Sequence, residues 1–566
     1  VIAGRIRLVA VALAGIGALA PAIPARLAQA PPPVDTAPGI EQTAPGSRAA
    51  LPLLASFDGL GYGFSGPQST PDSPIPRNPS DNSLAVGPDH VFQIVNTQLA
   101  VFTKKGERYD TTGRVLYGPI ATNTIFAGLG GECEARANGD AVVRYDQLAG
   151  RWLVVMPIFR RVTPPPPAPT DRPAPPGQLA RPGQASSPGP AAAPGPPPPA
   201  PPSPARGARG ARGRGRGALP PGTFGMCYAV STTADPLGPY HRYAFERPLF
   251  PDYPRPAVWP DGYYVPTSTG DEVVQKHACV VDRARMLKGE PAAEQCVIVE
   301  GANFLNNADL EGTRLPPDGT PNIVLAAGGT QLRNDFDDDG IYVWRFHVDW
   351  KTPSNTHLTG PVKIDVAPYQ YLCNGQLTNC VPQPGVDRRL DAQGDKIMAR
   401  VLYRNVGPHE SIVAVHSVNT RIGGGGVRWY ELRMNQQREP ALYQQGTYAP
   451  DAFFRWLPSP AIDRRGNIAL GYSFGSHAHF PGQRMTARLT DDPKGEMTFQ
   501  ETILAEGEAA QTSTLRWEDY TQTAMDPDDD CTIWYVGDYL KRDAPSYTTR
   551  IGAIRVPSCQ SAGVSR

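Results

Sequence analysis

The chain has 566 residues, with 54 Lys and Arg against 54 Asp and Glu, so no global charge favours nucleic acid, an anionic membrane or an acidic substrate. Its 64 prolines and 58 glycines exceed ordinary usage and point to turn-rich domains and to segments without a packed core. Length sets no limit on that core: several ordinary domains, or one large repetitive β architecture, would fit.

Behind Arg5 and Arg7, the apolar run LVAVALAGIGALA is followed by small-residue cleavage positions at Ala20-Pro21-Ala22 and Ala28-Gln29-Ala30. This predicts a secretory signal peptide over residues 1–30 rather than a membrane anchor, because a spanning helix needs about 20 apolar residues. No later segment is apolar enough to span. A secreted or periplasmic bacterial protein is therefore expected. Residues 31–55, rich in Pro, Ala and Gly, read as a disordered leader that does not pack.

Residues 56–161 and 223–559 are dominated by short runs of β-branched and aromatic residues bounded by Gly, Pro, Asp and Asn. HVFQIVNTQLAVFTKKG at His90, AVVRYDQLAGRWLVVMPIF at Ala141 and ESIVAVHSVNTRIGGGGVRWYELRM at Glu410 each read as hairpins, and only Arg283 to Lys288 carries a helical period. Between the two parts, residues 162–222 form a disordered Pro-rich and Arg-Gly-rich insertion that cannot offset its ordering entropy. Its Arg206, Arg209, Arg212, Arg214 and Arg216 lack interleaved aromatics, so the tract reads as a solvated tether and not a nucleic-acid site. An acidic polysaccharide would be the better polyanionic contact. Residues 560–566 are a tail.

The fold class is thus all-β. An Asp, Pro or Gly turn ahead of an aromatic strand recurs in VGPDHVFQIV, STTADPLGPYHRYAF, WPDGYYVPTS, FDDDGIYVWRF, IDRRGNIALGYSF, TDDPKGEMTF and MDPDDDCTIWYVGDYL. Such recurrence predicts stacked four-stranded units, a β-propeller of about seven blades; six or eight also fit the length, and a pair of β-sandwiches is the alternative.

Eight cysteines in an exported chain predict disulfides. Spacing favours Cys133 with Cys227 across the insertion, Cys279 with Cys296, Cys373 with Cys380, and Cys531 with Cys559, one connectivity among about a hundred. No C-x-x-C pair supports a zinc site instead.

Asp335, Asp337 and Asp339, followed by Gly340, match the D-x-D-x-D-G opening of calcium loops, but Val343 and Phe346 stand where a helical calcium hand needs oxygen ligands. The string is either a structural calcium site on a hairpin turn, completed from elsewhere, or a solvated aspartate turn. Asp526, Asp528, Asp529 and Asp530 read as a second acidic turn. Gly471 to Gly475 matches G-x-S-x-G around Ser473 but lacks the helix that a nucleophile elbow requires, and His477 with His479 reads as an exposed loop. Trp259, Tyr263, Trp517 and Tyr520 are candidate platforms for a sugar ring, with filling between blades as the alternative. Asp261, Glu518 and Asp519 are the candidate catalytic carboxylates, provided their loops converge.

Four strings together, DYPRPAVWPDGYY at Asp252, CVVDRARMLKG at Cys279, LYQQGTYAPDAFFRWLPSPAIDRRGNIALGYSFG at Leu442 and LRWEDYTQTAMDPDDDCTIWYVGDYL at Leu515, resemble a group of exported bacterial proteins, mostly uncharacterised. That resemblance implies a sialidase-like β-propeller and export, and transfers no catalytic residues; SPAIDRRGNIAL at Ser459 departs from the sialidase Asp-box in spacing and lacks its Trp. The resulting expectation is an exported propeller that binds a glycan or another cell-surface ligand. A glycoside hydrolase or lyase using funnel carboxylates, and a protein-interaction scaffold, are the alternatives.

Overall fold

The structure, a computed structural model, describes residues 40–70, 77–159, 224–247, 250–268, 275–302, 304–329, 336, 338–375 and 379–559. The chain is all-β, and the described strands include seven antiparallel sets of four. Set one comprises Asn82–Val86, His90–Val95, Gln98–Thr103 and Val115–Ala121; set two, Val142–Asp146, Arg151–Ile158, Phe224–Ser231 and Tyr240–Arg247. Set three is Ala257–Trp259, Gly262–Tyr264, Gln275–Val281 and Glu294–Glu300; set four, Asn306–Leu310, Asn322–Ala327, Ile341–His347 and His357–Ile364. Set five is Val401–Asn405, Glu410–Asn419, Gly425–Met434 and Pro440–Tyr448; set six, Phe454–Ile462, Ile468–Gly475, Gly482–Arg488 and Thr502–Ala505. Gln522–Met525, Thr532–Tyr539 and Thr548–Arg555 make set seven, whose fourth strand, Ala55–Gly61, comes from the other end of the chain.

Each set graded by burial explains its composition. In set one the first three strands are buried at every position, as the apolar run LAV, VFQIV, LAVF requires, whereas the fourth is mostly half-buried. The fourth strand of set four, HLTGPVKI, is largely exposed. Strands covered on both faces lose the clean alternation of a half-buried sheet, because neither face meets water. The first strand of each set touches the first strand of the next, and Gln522–Met525 touches Asn82–Val86, so the series returns to its start. Between sets four and five this contact is a parallel pairing, Ala308 opposite Val401.

The apolar core is divided accordingly into layers between neighbouring sets. Phe92 and Trp152 fill the layer between sets one and two, Tyr228 and Tyr263 that between two and three, and Trp429 and Trp456 that between five and six. Leu60, Phe102 and Trp534 hold set seven against set one. Where the first strands meet, the contact is polar: Asp309 accepts from Arg400 Nε at 2.8 Å and lies 3.3 Å from Arg144 Nε, and Arg400 reaches Glu311 at 2.6 Å. These buried charges compensate one another, as buried ions must.

The described part of the leader, residues 40–55, packs, contrary to expectation. Glu41–Gln42 pairs in parallel with the edge strand Pro440–Tyr448, Gln42 exchanges hydrogen bonds with the Met497 backbone at 2.8 and 2.9 Å, and Leu51 is buried. Edge strands offer unpaired backbone groups, and this segment covers them. All four disulfides join the cysteines that spacing paired, Cys133 to Cys227, Cys279 to Cys296, Cys373 to Cys380 and Cys531 to Cys559, and no described cysteine is free. The expected signal peptide, the expected insertion over residues 162–222, the tail, Asp335 and Asp337 lie outside the described residues. Among the described residues no helix is long and apolar enough to cross a membrane.

Candidate functional site

Residues just ahead of the first strands converge at one end of the fold. Asp81 precedes Asn82–Val86, Asp140 precedes Val142–Asp146, Asp252 and Tyr253 precede Ala257–Trp259, Lys396 precedes Val401–Asn405, and Asp519 and Tyr520 precede Gln522–Met525. Asp81, Asp140, Tyr253, Glu518 and Asp519 all have positive φ, between 48° and 68°, so the chain bends sharply on entering these strands. Non-glycine residues in this region are uncommon and concentrate at functional sites. The Asp81 amide donates to the Glu518 carbonyl at 2.8 Å, which locks the entry of set one to that of set seven.

The carboxyl groups are distributed around this entry. Asp81 accepts from Asn96 Nδ2 and shares a hydrogen bond with Asp140, and Asp140 in turn contacts Asp252 and accepts from the Tyr253 amide at 3.4 Å. Burial, reinforced by the charge of Asp252, pushes the Asp140 carboxyl up to about 8; burial and the Asp140 charge push Asp81 well above the usual carboxylate range. Asp519 is held differently. Arg516 Nη2 donates to its carboxylate while Arg516 Nε pairs with Asp391 at 3.0 Å, and Gln393 Nε2 donates to Asp519 Oδ1 at 2.9 Å. Lys396 Nζ donates to Gln393 at 2.8 Å and lies 4.3 Å from the Phe304 ring centre.

Tyr520 stands among these groups. Its ring is 4 % exposed and packs edge-on against Tyr253, with centroids 5.0 Å apart. Burial and then the charges of Asp81 and Asp140 push its phenol far up, so it stays protonated. Its hydroxyl has no hydrogen-bond partner among the described residues. A buried hydroxyl without a partner costs about 1–3 kcal/mol and is therefore a position that a ligand atom or ordered water would satisfy. The cluster reaches solvent at Asp140 and Arg516, both half-buried.

The expected carboxylate set does not assemble as a unit. Asp261 sits at the turn that follows the first strand of set three, whereas Glu518 and Asp519 precede the first strand of set seven. It is exposed and accepts from the Tyr264 hydroxyl at 3.0 Å. Glu518 is fully buried and turned into the layer between sets six and seven, where Ser473 Oγ, Gln483 Nε2 and the Asp538 amide donate to it. This assigns Ser473 a structural hydrogen bond in the middle of a strand. Of the three carboxylates, only Asp519 belongs to the cluster.

The aromatic platforms also require correction. Trp259, Tyr263 and Trp517 are 0–1 % exposed, so none presents a face to a sugar. Trp259 Nε1 donates to the Thr320 carbonyl at 3.0 Å, Tyr263 donates to Asp146 at 2.8 Å, and Trp517 Nε1 donates to Ser473 at 3.0 Å. They fill the layers between sets, which is the use that large aromatic rings in stacked sheets serve best. Tyr520 can offer its hydroxyl and not its ring face.

The acidic strings resolve into ion pairs and turns. Asp526 and Asp528 both take Lys104 Nζ, at 2.6 and 2.8 Å, Asp529 pairs with Arg555, and Asp530 pairs with Arg404. Asp339 accepts from the Tyr369 amide at 2.8 Å. Among the described residues, the one group of metal-ligand type is Cys279, Glu294 and Cys296, whose sulfurs are joined in a disulfide. Sequence reasoning misses Asp81, Asp140, Asp252 and Arg516, because their strings lie far apart in the chain and only the packing of sets one, two, three and seven brings them together.

No family model and no curated protein matches the chain. Among solved structures, it is similar to the catalytic domain of a Coprinopsis cinerea GH62 α-L-arabinofuranosidase, at 9 % identity and TM-score 0.26 over 54 % of this chain and 90 % of that one. It is also similar to extracellular domains 1–2 of Drosophila Semaphorin 1b, at 8 % identity and TM-score 0.35 over 90 % of this chain and 88 % of that one.

Proposed function

We propose that this chain is an exported β-propeller of seven blades, akin to the sialidase-like group its strings resemble, that binds a glycan or cell-surface saccharide at the entry to its first strands. Seven sets of four strands, with Ala55–Gly61 completing the last, support the architecture. Four disulfides support an oxidising compartment. The observation that carries the binding site is the partnerless, buried Tyr520 hydroxyl beside a protonated Asp140 and an arginine-held Asp519. These groups offer both donors and acceptors. Arg516 pairs with Asp391 and Asp519, and Lys396 pairs with Asp395, so a neutral polyhydroxylated ligand suits the site better than a cation.

A second reading, glycoside hydrolysis, rests on the division of labour between carboxyls. Asp140, protonated up to about 8, has the state of a general acid, and Asp519 is paired with a guanidinium. A glycan array read for both retained protein and loss of terminal sugars tests the two together. Retention that falls about tenfold or more in Tyr520→Phe and Asp519→Asn is the expected outcome. Sugar release abolished in Asp140→Asn would establish hydrolysis, and an unchanged array for all three variants would remove this site.

A further inference from the structure

The opposite ends of the first strands carry a different chemistry. The turns that follow these strands in sets four, five and six enclose a cavity of about 840 Å³, and its wall includes Arg314, Arg404, Arg433, Arg464 and Arg465. Three carboxylates, Glu311, Asp491 and Asp530, share that wall. Two are already engaged: Asp530 pairs with Arg404, and Glu311 pairs with Arg400 behind the wall. Arg433 is held by Glu431 at 2.7 Å and stacks 3.4 Å over the Tyr443 ring, whose surroundings also include Lys494 Nζ at 3.8 Å.

Arg314 and Arg465 are the informative residues. Among the described residues neither guanidinium makes a hydrogen bond or ion pair, and the Arg464 guanidinium donates to the Cys559 carbonyl at 3.3 Å. Their positions are nevertheless built. Asp463 accepts from the amides of Arg465 and Asn467 at 2.8 and 3.0 Å, and Gly466, at φ +82°, closes the turn that carries Arg464 and Arg465. Gly407 makes room for Arg314: a Cβ there would stand 2.0 Å from Arg314 Nη1. Unpaired guanidinium forks match oxyanions in geometry and charge. A ligand that satisfies the arginines carries an oxyanion, and the uncharged polar residues beside them on the wall suit a hydroxyl-bearing body.

We infer that this cavity is a second binding site, distinct from the acidic cluster, for a saccharide bearing a carboxylate, sulfate or phosphate group. Its volume accommodates several sugar units, and Asn405 and Thr490 on its wall add uncharged polar groups for their hydroxyls.

Calorimetric titration of the whole chain with oligogalacturonate, a sulfated oligosaccharide, neutral cellotetraose and inorganic phosphate tests the inference. At least one acidic oligosaccharide binds about tenfold or more tightly than cellotetraose and phosphate, and the affinity falls with added salt. Which acidic saccharide binds identifies the oxyanion. The double variant Arg314→Ala/Arg465→Ala, at exposed positions whose guanidinium groups have no polar partner among the described residues, melts as the parent does and loses about tenfold or more of that affinity. Asp519→Asn leaves it unchanged, so failure of the acidic-cluster site would not be mistaken for failure of this one. Cellotetraose binding as tight as the acidic saccharides and equally weakened in the double variant, phosphate as tight as the acidic saccharides, no binding by any acidic saccharide, or an unaffected double variant would each overturn the assignment.

Discussion

Single residues decide how the acidic end responds to pH. Asp140 ionises near its ordinary value of 3.8 in the unfolded chain but only at about 8 when folded, because burial and Asp252 oppose its charge. The folded state therefore binds the extra proton across this interval, and stability falls as pH rises from about 4 to about 8. Asp81 and Asp538, the latter raised to about 7 by burial, act in the same direction. Thermal melts across this range should show a descending midpoint in the parent and a shallower descent in Asp140→Asn; parallel curves would mean that Asp140 is ionised throughout. None of this was legible in the string NGD at Asn138, which reads as an ordinary turn. Tyr520 was legible as a candidate, though for its ring and not its hydroxyl, since burial is a property of the assembled sets.

At the scale of elements, the sequence was most informative where strands are local hairpins. His90–Val95 with Gln98–Thr103, Val142–Asp146 with Arg151–Ile158, and Glu410–Asn419 with Gly425–Met434 fall where alternating runs and turn residues predicted them. The recurrent turn strings are only partly equivalent. VGPDH, WPDGY, DRRGN and MDPDDDC each join the first and second strands of their sets, whereas ADPLGP and TDDPKG join third to fourth and FDDDG second to third. A turn signal marks a reversal of the chain without stating which reversal it is. The strand Ala55–Gly61 was not foreseen as the partner of Thr548–Arg555, since that pairing closes nearly the whole chain. Leu60, fully buried between sets seven and one, makes the closure testable: Leu60→Ala should cost about 3–5 kcal/mol in urea unfolding. A loss below about 1 kcal/mol would show that the strand contributes little to the core.

For the whole molecule, the chain brings together at each end what its sequence keeps apart. Acidic and phenolic groups gather before the first strands, a compensated lattice of Arg144, Asp309, Arg400 and Glu311 fills the contact between them, and five arginines line the cavity beyond. Arg400 and Asp309 are 91 residues apart, so no local pattern could have paired them. Composition and cysteine spacing, by contrast, carried the all-β class and the disulfide pairing, because turns and three of the four covalent loops are local, while the fourth, Cys133 to Cys227, joins the cysteines on either side of the insertion across 94 residues. The central claim is that a saccharide hydroxyl satisfies Tyr520. Crystals of the chain soaked with the glycan selected on the array measure this directly. A sugar hydroxyl within hydrogen-bonding distance of Tyr520 Oη is the predicted result; a sugar bound elsewhere, with Tyr520 Oη unapproached, would contradict it.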